Sequence, residues 1–351
     1  MNLHQELHKA LTNVEIPRAH SSLSELVEEM TVENGRVSIR VKLLPAYASK
    51  SQLRAWAEQA ARSVPGVTAV EVSFAQTQAA PPRRQPQTPH PTKQLEFPQI
   101  KNIIAVFSGK GGVGKSTVSV NVAAALAQQG ARVGLFDADV HGPNIPNLLG
   151  LAEQPKVQDG KLLPLYKHGL YAMSIGLLVG SGDPLIWRGP MISKAINELL
   201  DTTAWPDLDY LILDLPPGTG DAQLGLAQDL KLSGALAVTT PQEVALSDVR
   251  RGLSAFQKFG IPILGLIENM AYYLCPKCGH REYIFGRGGG EAEARKQSIP
   301  LLAQIPLDPK LREGGDAGVP IVVAEPTSPT ALEFKKIAEA LDNFQKEREK
   351  L

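Results

Sequence analysis

The stretch "FSGKGGVGKST", residues 107–117, limits the fold more than any other part of the chain. It follows the apolar run "NIIAVF" and leads into "KSTVSVNVAAALAQQG", which reads as a helix ending at Gly130. A strand, a glycine-rich turn and a helix in that order form the phosphate-loop pattern. The pattern starts at Gly109 and closes with Gly114, Lys115 and Ser116. Glycines let the backbone come close to a ligand, and N–H groups from Gly111 to Thr117 would point at phosphate oxygens beside the positive helix end. The pattern assigns Lys115 to the outer phosphates and the Ser116 hydroxyl to Mg²⁺. It does not assign Lys110.

Downstream, near-continuous apolar runs alternate with helical patterns. Residues 102–107, 132–136, 210–215, 234–240 and 263–268 read as strands buried on both faces. "SDVRRGLSAFQKFG" reads as a helix ending at Gly260. This alternation predicts an α/β, doubly wound, mainly parallel sheet, with ligands bound at the carboxyl ends of the strands. Two aspartate sites fall at such ends. "LFDADVHGPN" supplies Asp137, and Asp139 two residues on; "LILDLPPGTGD" supplies Asp214. A buried acid needs a charged partner, and hydrated Mg²⁺ is one. Asp214 is therefore expected to support the metal, and Asp139 to position an attacking water.

"GKGGVGKST" resembles the deviant Walker A motif of MinD/ParA-type ATPases, in which the early lysine reaches a partner's nucleotide across a dimer. The resemblance implies that Lys110 acts in trans, adding positive charge at the transferring phosphoryl group. A homodimer follows from it. Catalytic work is thus expected of Lys110, Lys115 and Asp139, and ATP binding of Ser108, Gly109, Lys110, Gly111, Gly112, Val113, Gly114, Lys115, Ser116 and Thr117.

Both cysteines of the chain, Cys275 and Cys278, lie in "CPKCG". Two thiolates do not complete a tetrahedral site, and His280 would still leave it one ligand short. A dimer changes the count: two copies give four thiolates, enough for a [4Fe–4S] cluster or a zinc ion. Spacing does not choose between these metals, and an intramolecular disulfide remains a third reading.

Residues 75–97 contain five prolines and few large aliphatic side chains, the composition of an extended linker. Before them, residues 1–74 carry alternating strands at 35–44 and 67–74, a helix through Leu53, Trp56 and Ala60, and an earlier helix and strand near 22–32. These make a small N-terminal α+β domain, so the division is 1–74, 75–97 and 98–351. A length of 351 residues fits more than one core. The formal net charge of zero gives no reason to expect nucleic acid or an anionic membrane as partner. The acidic start "MNLHQELHKALTNVE" does not read as a signal peptide, and two cysteines favour a reducing, cytoplasmic setting.

From Ile103 onward the sequence resembles the Mrp (ApbC-like) family of iron–sulfur cluster carrier ATPases. The resemblance rests on "SGKGGVGKST", "DADVHGPNIP", "WRGPM", "DLPPGTGD", "TTPQEVAL", "ENM", "CPKCG", "IFGRGGGE" and others in order. It implies cluster ligation by Cys275 and Cys278, magnesium support by Ser116, Asp137 and Asp214, and adenine reading by Asn269. It also implies transfer to apo iron–sulfur proteins and dealings with assembly scaffold proteins. Trp187, Arg188, Gly189 and Pro190 would join a dimer surface near the cluster or form an ordinary loop with a packed tryptophan, and residues 286–290 read as a flexible loop. The N-terminal part looks like the small iron–sulfur-assembly domain often fused to this family, but it has Ala48 and Ser49 where a cysteine is usual, which favours docking over metal binding. Two other functions share these features: a MinD/ParA-like positioning ATPase with structural zinc at the CxxC, and an ATP-coupled electron-transfer protein. The apolar stripe Phe334, Ile337, Leu341 and Phe344 has a mixed-charge opposite face, so it is expected to pack on the core rather than on a membrane.

Overall fold

The computed structural model describes residues 3–16, 21–42, 50–74, 94–140, 142–178 and 189–348. Trp187, Arg188, Ala48, Ser49 and residues 75–93 of the expected linker lie outside them. The described residues fall into two units, one on either side of residues 75–93.

In the N-terminal unit, strands Val27–Glu33 and Arg36–Val41 form an antiparallel hairpin, and Ala69–Phe74 pairs parallel to the second. Asn34 and Gly35 turn the hairpin with φ of 47° and 80°, the left-handed pair a tight two-residue turn requires. Arg36–Val41 alternates strictly, burying Val37, Ile39 and Val41. Helix Lys50–Arg62 adds Leu53 and Ala57 to that face. A further helix, Leu3–Thr12, was not expected from the sequence; it closes the core with Leu7 and Leu11. The element expected near residue 22 is a short 3₁₀ turn, Leu23–Leu26.

The second unit is built on an eight-stranded sheet. In chain order its main elements are β1 (Ile100–Ser108), α1 (Lys115–Gln128), β2 (Val133–Asp137), β3 (Leu165–Lys167), β4 (Leu170–Ser174), α2 (Gly189–Thr202), β5 (Leu208–Asp214), α3 (Asp221–Asp229), β6 (Gly234–Thr239), α4 (Glu243–Lys258), β7 (Ile263–Glu268), α5 (Gly289–Gln297), β8 (Leu301–Gln304), α6 (Pro309–Ala317) and α7 (Pro329–Arg348). The strand order is β3-β4-β2-β5-β1-β6-β7-β8, parallel except for β3. β1 sends Ile104 and Val106 to one face, under α1 and α7, and Ile103, Ala105 and Phe107 to the other, under α2, α3 and α4. That double burial explains why the strands read as continuous apolar runs. α7 buries Phe334, Ile337 and Leu341 of its stripe against the core, while Phe344 is only half-buried.

The chain leaves β1 toward β2 on one side and returns to β6 on the other, so the end of β1 is a topological switch point. α4 lies close over β1, with Phe256 stacked on Phe107 at 4.3 Å between ring centres. One expectation needs correcting. Residues 94–97 are not linker: Leu95 bridges to Leu230, its N–H donating to the Asp229 carbonyl at 2.8 Å, and Phe97 is buried in the core. Among the described residues no helix is long and apolar enough to cross a membrane.

Candidate functional site

The phosphate loop leaves β1 at Ser108 and enters α1 at Lys115. Gly112 and Gly114 have φ of 81° and 84°, a conformation that strains other residues. Gly109 serves a different purpose. A Cβ there would stand 2.2 Å from the Asp248 carbonyl carbon, so only glycine lets α4 approach the loop. Lys110 is half-buried on the cavity wall.

Three parallel strands bring their last residues level: Ser174 of β4 pairs with Asp137 of β2, and Asp137 with Asp214 of β5. Asp214 is fully buried and accepts hydrogen bonds from the hydroxyls of Ser116 and Ser119, both at 2.6 Å. Its Oδ2 also lies 2.7 Å from Lys115 Nζ. Ser119 was not picked out from the sequence; it sits one helical turn beyond Lys115, on the same face of α1. Asp137 accepts from the Asp139 N–H at 3.1 Å, the Ile145 N–H at 3.2 Å and the Ser174 hydroxyl at 3.0 Å. Burial, and then the nearby Asp214 carboxylate, push its carboxyl up to about 8. Two buried carboxylates beside a hydroxyl form an all-oxygen donor set that suits a hard cation, and added positive charge would favour the ionised form of Asp137.

The loop opens on a cavity of about 890 Å³. Asp139, Pro217 and Met270 line it, with residues between Asn144 and Ala152 and the 315–318 turn that ends α6. The far wall is tied together, since Lys167 donates to the Gly150 carbonyl at 2.6 Å and His168 Nε2 lies 2.8 Å from the Gly318 carbonyl oxygen. This wall had no signal in the sequence beyond its glycines.

Asn269, expected to read the adenine edge, directly follows β7. It is buried, it is not among the residues lining the cavity, and its amide donates to the Val113 carbonyl at 2.8 Å. It braces the phosphate loop from behind. The loop expected at residues 286–290 stops short of its last two: α5 starts at Gly289, and the Gly290 N–H donates to Glu268 at 2.6 Å.

Cys275 and Cys278 occupy the turn of a hairpin formed by Tyr273–Leu274 and Arg281–Glu282. The Cys275 N–H donates to the His280 carbonyl and the Gly279 N–H to the Cys275 carbonyl, both at 2.9 Å. The backbone N–H groups of Cys278 and Lys277, with the Cys278 thiol, hold the Cys275 thiol below its usual range. Cys278 is exposed. The His280 imidazole is exposed too and lies 3.6 Å from Glu282. Among the described residues no three His, Cys, Asp or Glu side chains group to hold a metal.

The profile of the ParA family, described as NUBPL iron-transfer P-loop NTPase, matches residues 99–342. The chain belongs to this family. A second profile, iron-sulfur cluster assembly protein, matches residues 4–74. Proteins named iron-sulfur cluster carrier protein are similar along nearly the whole chain. The one from Synechocystis is 46% identical over 341 residues, covering 94% of each chain. That from Aquifex aeolicus is 45% identical over 337 residues, covering 92% of each. Among solved structures, a nucleotide-binding protein from Archaeoglobus fulgidus in complex with ADP is 43% identical, with a TM-score of 0.59, 67% of this chain and 92% of that one covered. The cell division ATPase MinD of Pyrococcus furiosus is 26% identical, with a TM-score of 0.52 over 69% of this chain and 99% of its own.

Proposed function

We propose that this protein is an ATP-hydrolysing carrier of iron–sulfur clusters that works as a homodimer. It holds a [4Fe–4S] cluster as cargo on Cys275 and Cys278 of both subunits and passes it to apoproteins in the cytoplasm, receiving it from assembly scaffolds. The observation that carries this reading is the hairpin: an exposed Cys278 thiol and a half-buried Cys275 thiol held below its usual range, separated by two residues on one turn, with no third ligand grouped beside them among the described residues. A knuckle built this way supplies half of a four-thiolate site.

At the other end, Lys115 neutralises the outer phosphates, and the loop N–H groups hold their oxygens. The Ser116 hydroxyl would hold Mg²⁺, with Asp214 and Asp137 supplying negative charge; the ion, when bound, neutralises charge on the phosphates. Asp139, in the cavity wall, orients the attacking water. Lys110 reaches across the dimer to the partner's nucleotide. The similarity to carriers over both domains supports the assignment. Residues 1–74 then dock acceptors or scaffolds rather than bind metal.

Anaerobic reconstitution with iron and sulfide, followed by metal analysis and mass measurement of the intact assembly, tests this. About four irons per dimer are expected. A cluster on a monomer, or one zinc per dimer without sulfide, would refute it.

A further inference from the structure

The segment that carries the cysteines leaves the sheet and returns to it at one pair of residues. β7 ends in Glu268, followed by Asn269. The chain then runs out through the hairpin and comes back as α5, whose second residue is Gly290. Glu268 is buried. Its Oε1 accepts the Gly290 N–H at 2.6 Å, and its Oε2 accepts the Gln304 amide at 2.6 Å. A carboxylate is well placed at a helix N-terminus. The contact is tight, because a Cβ on Gly290 would stand 2.8 Å from Oε1.

Asn269, next along the chain, holds the Val113 carbonyl at 2.8 Å. That carbonyl shares a planar peptide unit with the Gly114 N–H, one of the groups expected to face phosphate. Any tilt of this peptide toward a phosphate oxygen therefore pulls on the Asn269 amide. The backbone after Asn269 is pinned as well, since the Ala271 N–H donates to the Ile305 carbonyl at 2.9 Å and the Ile305 N–H to the Glu268 carbonyl at 2.9 Å. The two neighbouring side chains thus grip the phosphate loop and the return end of the thiol-bearing segment. Such a contiguous hydrogen-bonded span is the kind of connection that can bias two sites together.

We infer that Glu268 is a positioning residue that transmits the nucleotide state of the phosphate loop, through Asn269, to the cysteine hairpin by way of the α5 N-terminus. Its substrate class is that of the proposed function, a nucleoside triphosphate, and the inference rests on that reading of the phosphate loop. It assigns Glu268 no part in binding ATP or cluster.

The test uses the full chain, reduced and metal-free, and follows alkylation of Cys275 and Cys278 by iodoacetamide with and without Mg²⁺-ATP. In the wild type ATP should change the rate by about fivefold or more, the lower end of ordinary coupling. In Glu268→Ala the ratio should fall close to one while ATP affinity stays within about threefold. Glu268→Gln should restore most of it, because its amide oxygen can still accept from Gly290 if Gln304 turns its own amide over. A folded Glu268→Ala that keeps the wild-type ratio would overturn the inference, as would a wild type whose rate ignores ATP. Should Glu268→Ala not fold, hydrogen exchange on the wild type decides: ATP should alter exchange in peptides spanning 271–290, and no change there overturns the route. None of these measurements needs a cluster, so failure to bind iron would sink the carrier reading and leave this one standing.

Discussion

The phosphate-loop end and the cysteine hairpin are built in opposite ways. Around Asp214 the groups are enclosed and hold one another: Lys115 is 5% exposed, Asp214 and Ser119 are fully covered, Ser116 is half-buried, and two hydroxyls and an ammonium converge on one carboxylate. The hairpin leaves Cys278 exposed and Cys275 half-buried on a two-residue-wide ladder, with Arg281 stacked 4.5 Å over Tyr272 at its base. A site whose members all come from one chain can be preorganised in that chain. A site that, on the proposed reading, is completed by a second copy has to stay open, and within one chain only the hairpin's own N–H groups and the Cys278 thiol act on Cys275.

The sharpest way to break this contrast is at the hairpin. Cys275→Ser or Cys278→Ser would remove half of the thiolates of a shared site at once, so iron and sulfide content should fall to background, while ATP affinity, measured by titration calorimetry, should not change. Retention of cluster by either variant would mean that the site does not depend on both cysteines of each chain. The two lysines come next. Lys110→Ala should lower turnover on the order of 10³-fold with little change in affinity, the signature of a cation supplied across an interface. Lys115→Ala should instead weaken binding by about 3 kcal/mol, because a buried charge contact is truncated. Equal losses of affinity in the two would count against a trans role for Lys110. Asp139→Asn should slow hydrolysis by about 10²-fold without affecting affinity, as loss of a water-orienting group does.

The smallest effect concerns the boundary of the large unit. Deleting residues 1–90 should leave ATPase activity and cluster binding intact. Deleting 1–96 should in addition lose the Leu95 hydrogen bonds to Asp229 and Lys231, lowering stability by about 1–2 kcal/mol in a denaturant titration. Equal stability of the two fragments would return residues 94–96 to the linker.

Much of the large unit was readable because burial on both faces leaves an unmistakable apolar run; the strand expected at residues 263–268 is Ile263–Glu268. The β3–β4 hairpin was missed, since Tyr166 is 64% exposed and Leu165–Lys167 is too short to show a period. β8 has four residues and follows a proline, so it too lacked a pattern. At the site, Asp137 and Asp214 stood out as acids closing buried strands. Glu268 closes one in the same way, but its partner is a helix N-terminus more than twenty residues ahead, at Gly290, and no local rule connects them. Asn269 was visible as a polar residue after a strand; that its amide turns to Val113 depends on how closely Gly114 approaches it, where a Cβ would come within 2.2 Å.

The level alignment of Ser174, Asp137 and Asp214 at the ends of three neighbouring parallel strands bears on how such a chain can change over generations. Side chains alternate along a strand, so gaining or losing a single residue within β2, β4 or β5 would either turn its terminal polar group to the opposite face or reverse the whole apolar set beneath it. Insertions and deletions are then barred from the strands and confined to the connections, where the 138–169 excursion between β2 and β4 has room for them. Lineages of this fold should vary in the length of that excursion while the spacing from Val133 to Asp137, and from Leu208 to Asp214, stays fixed.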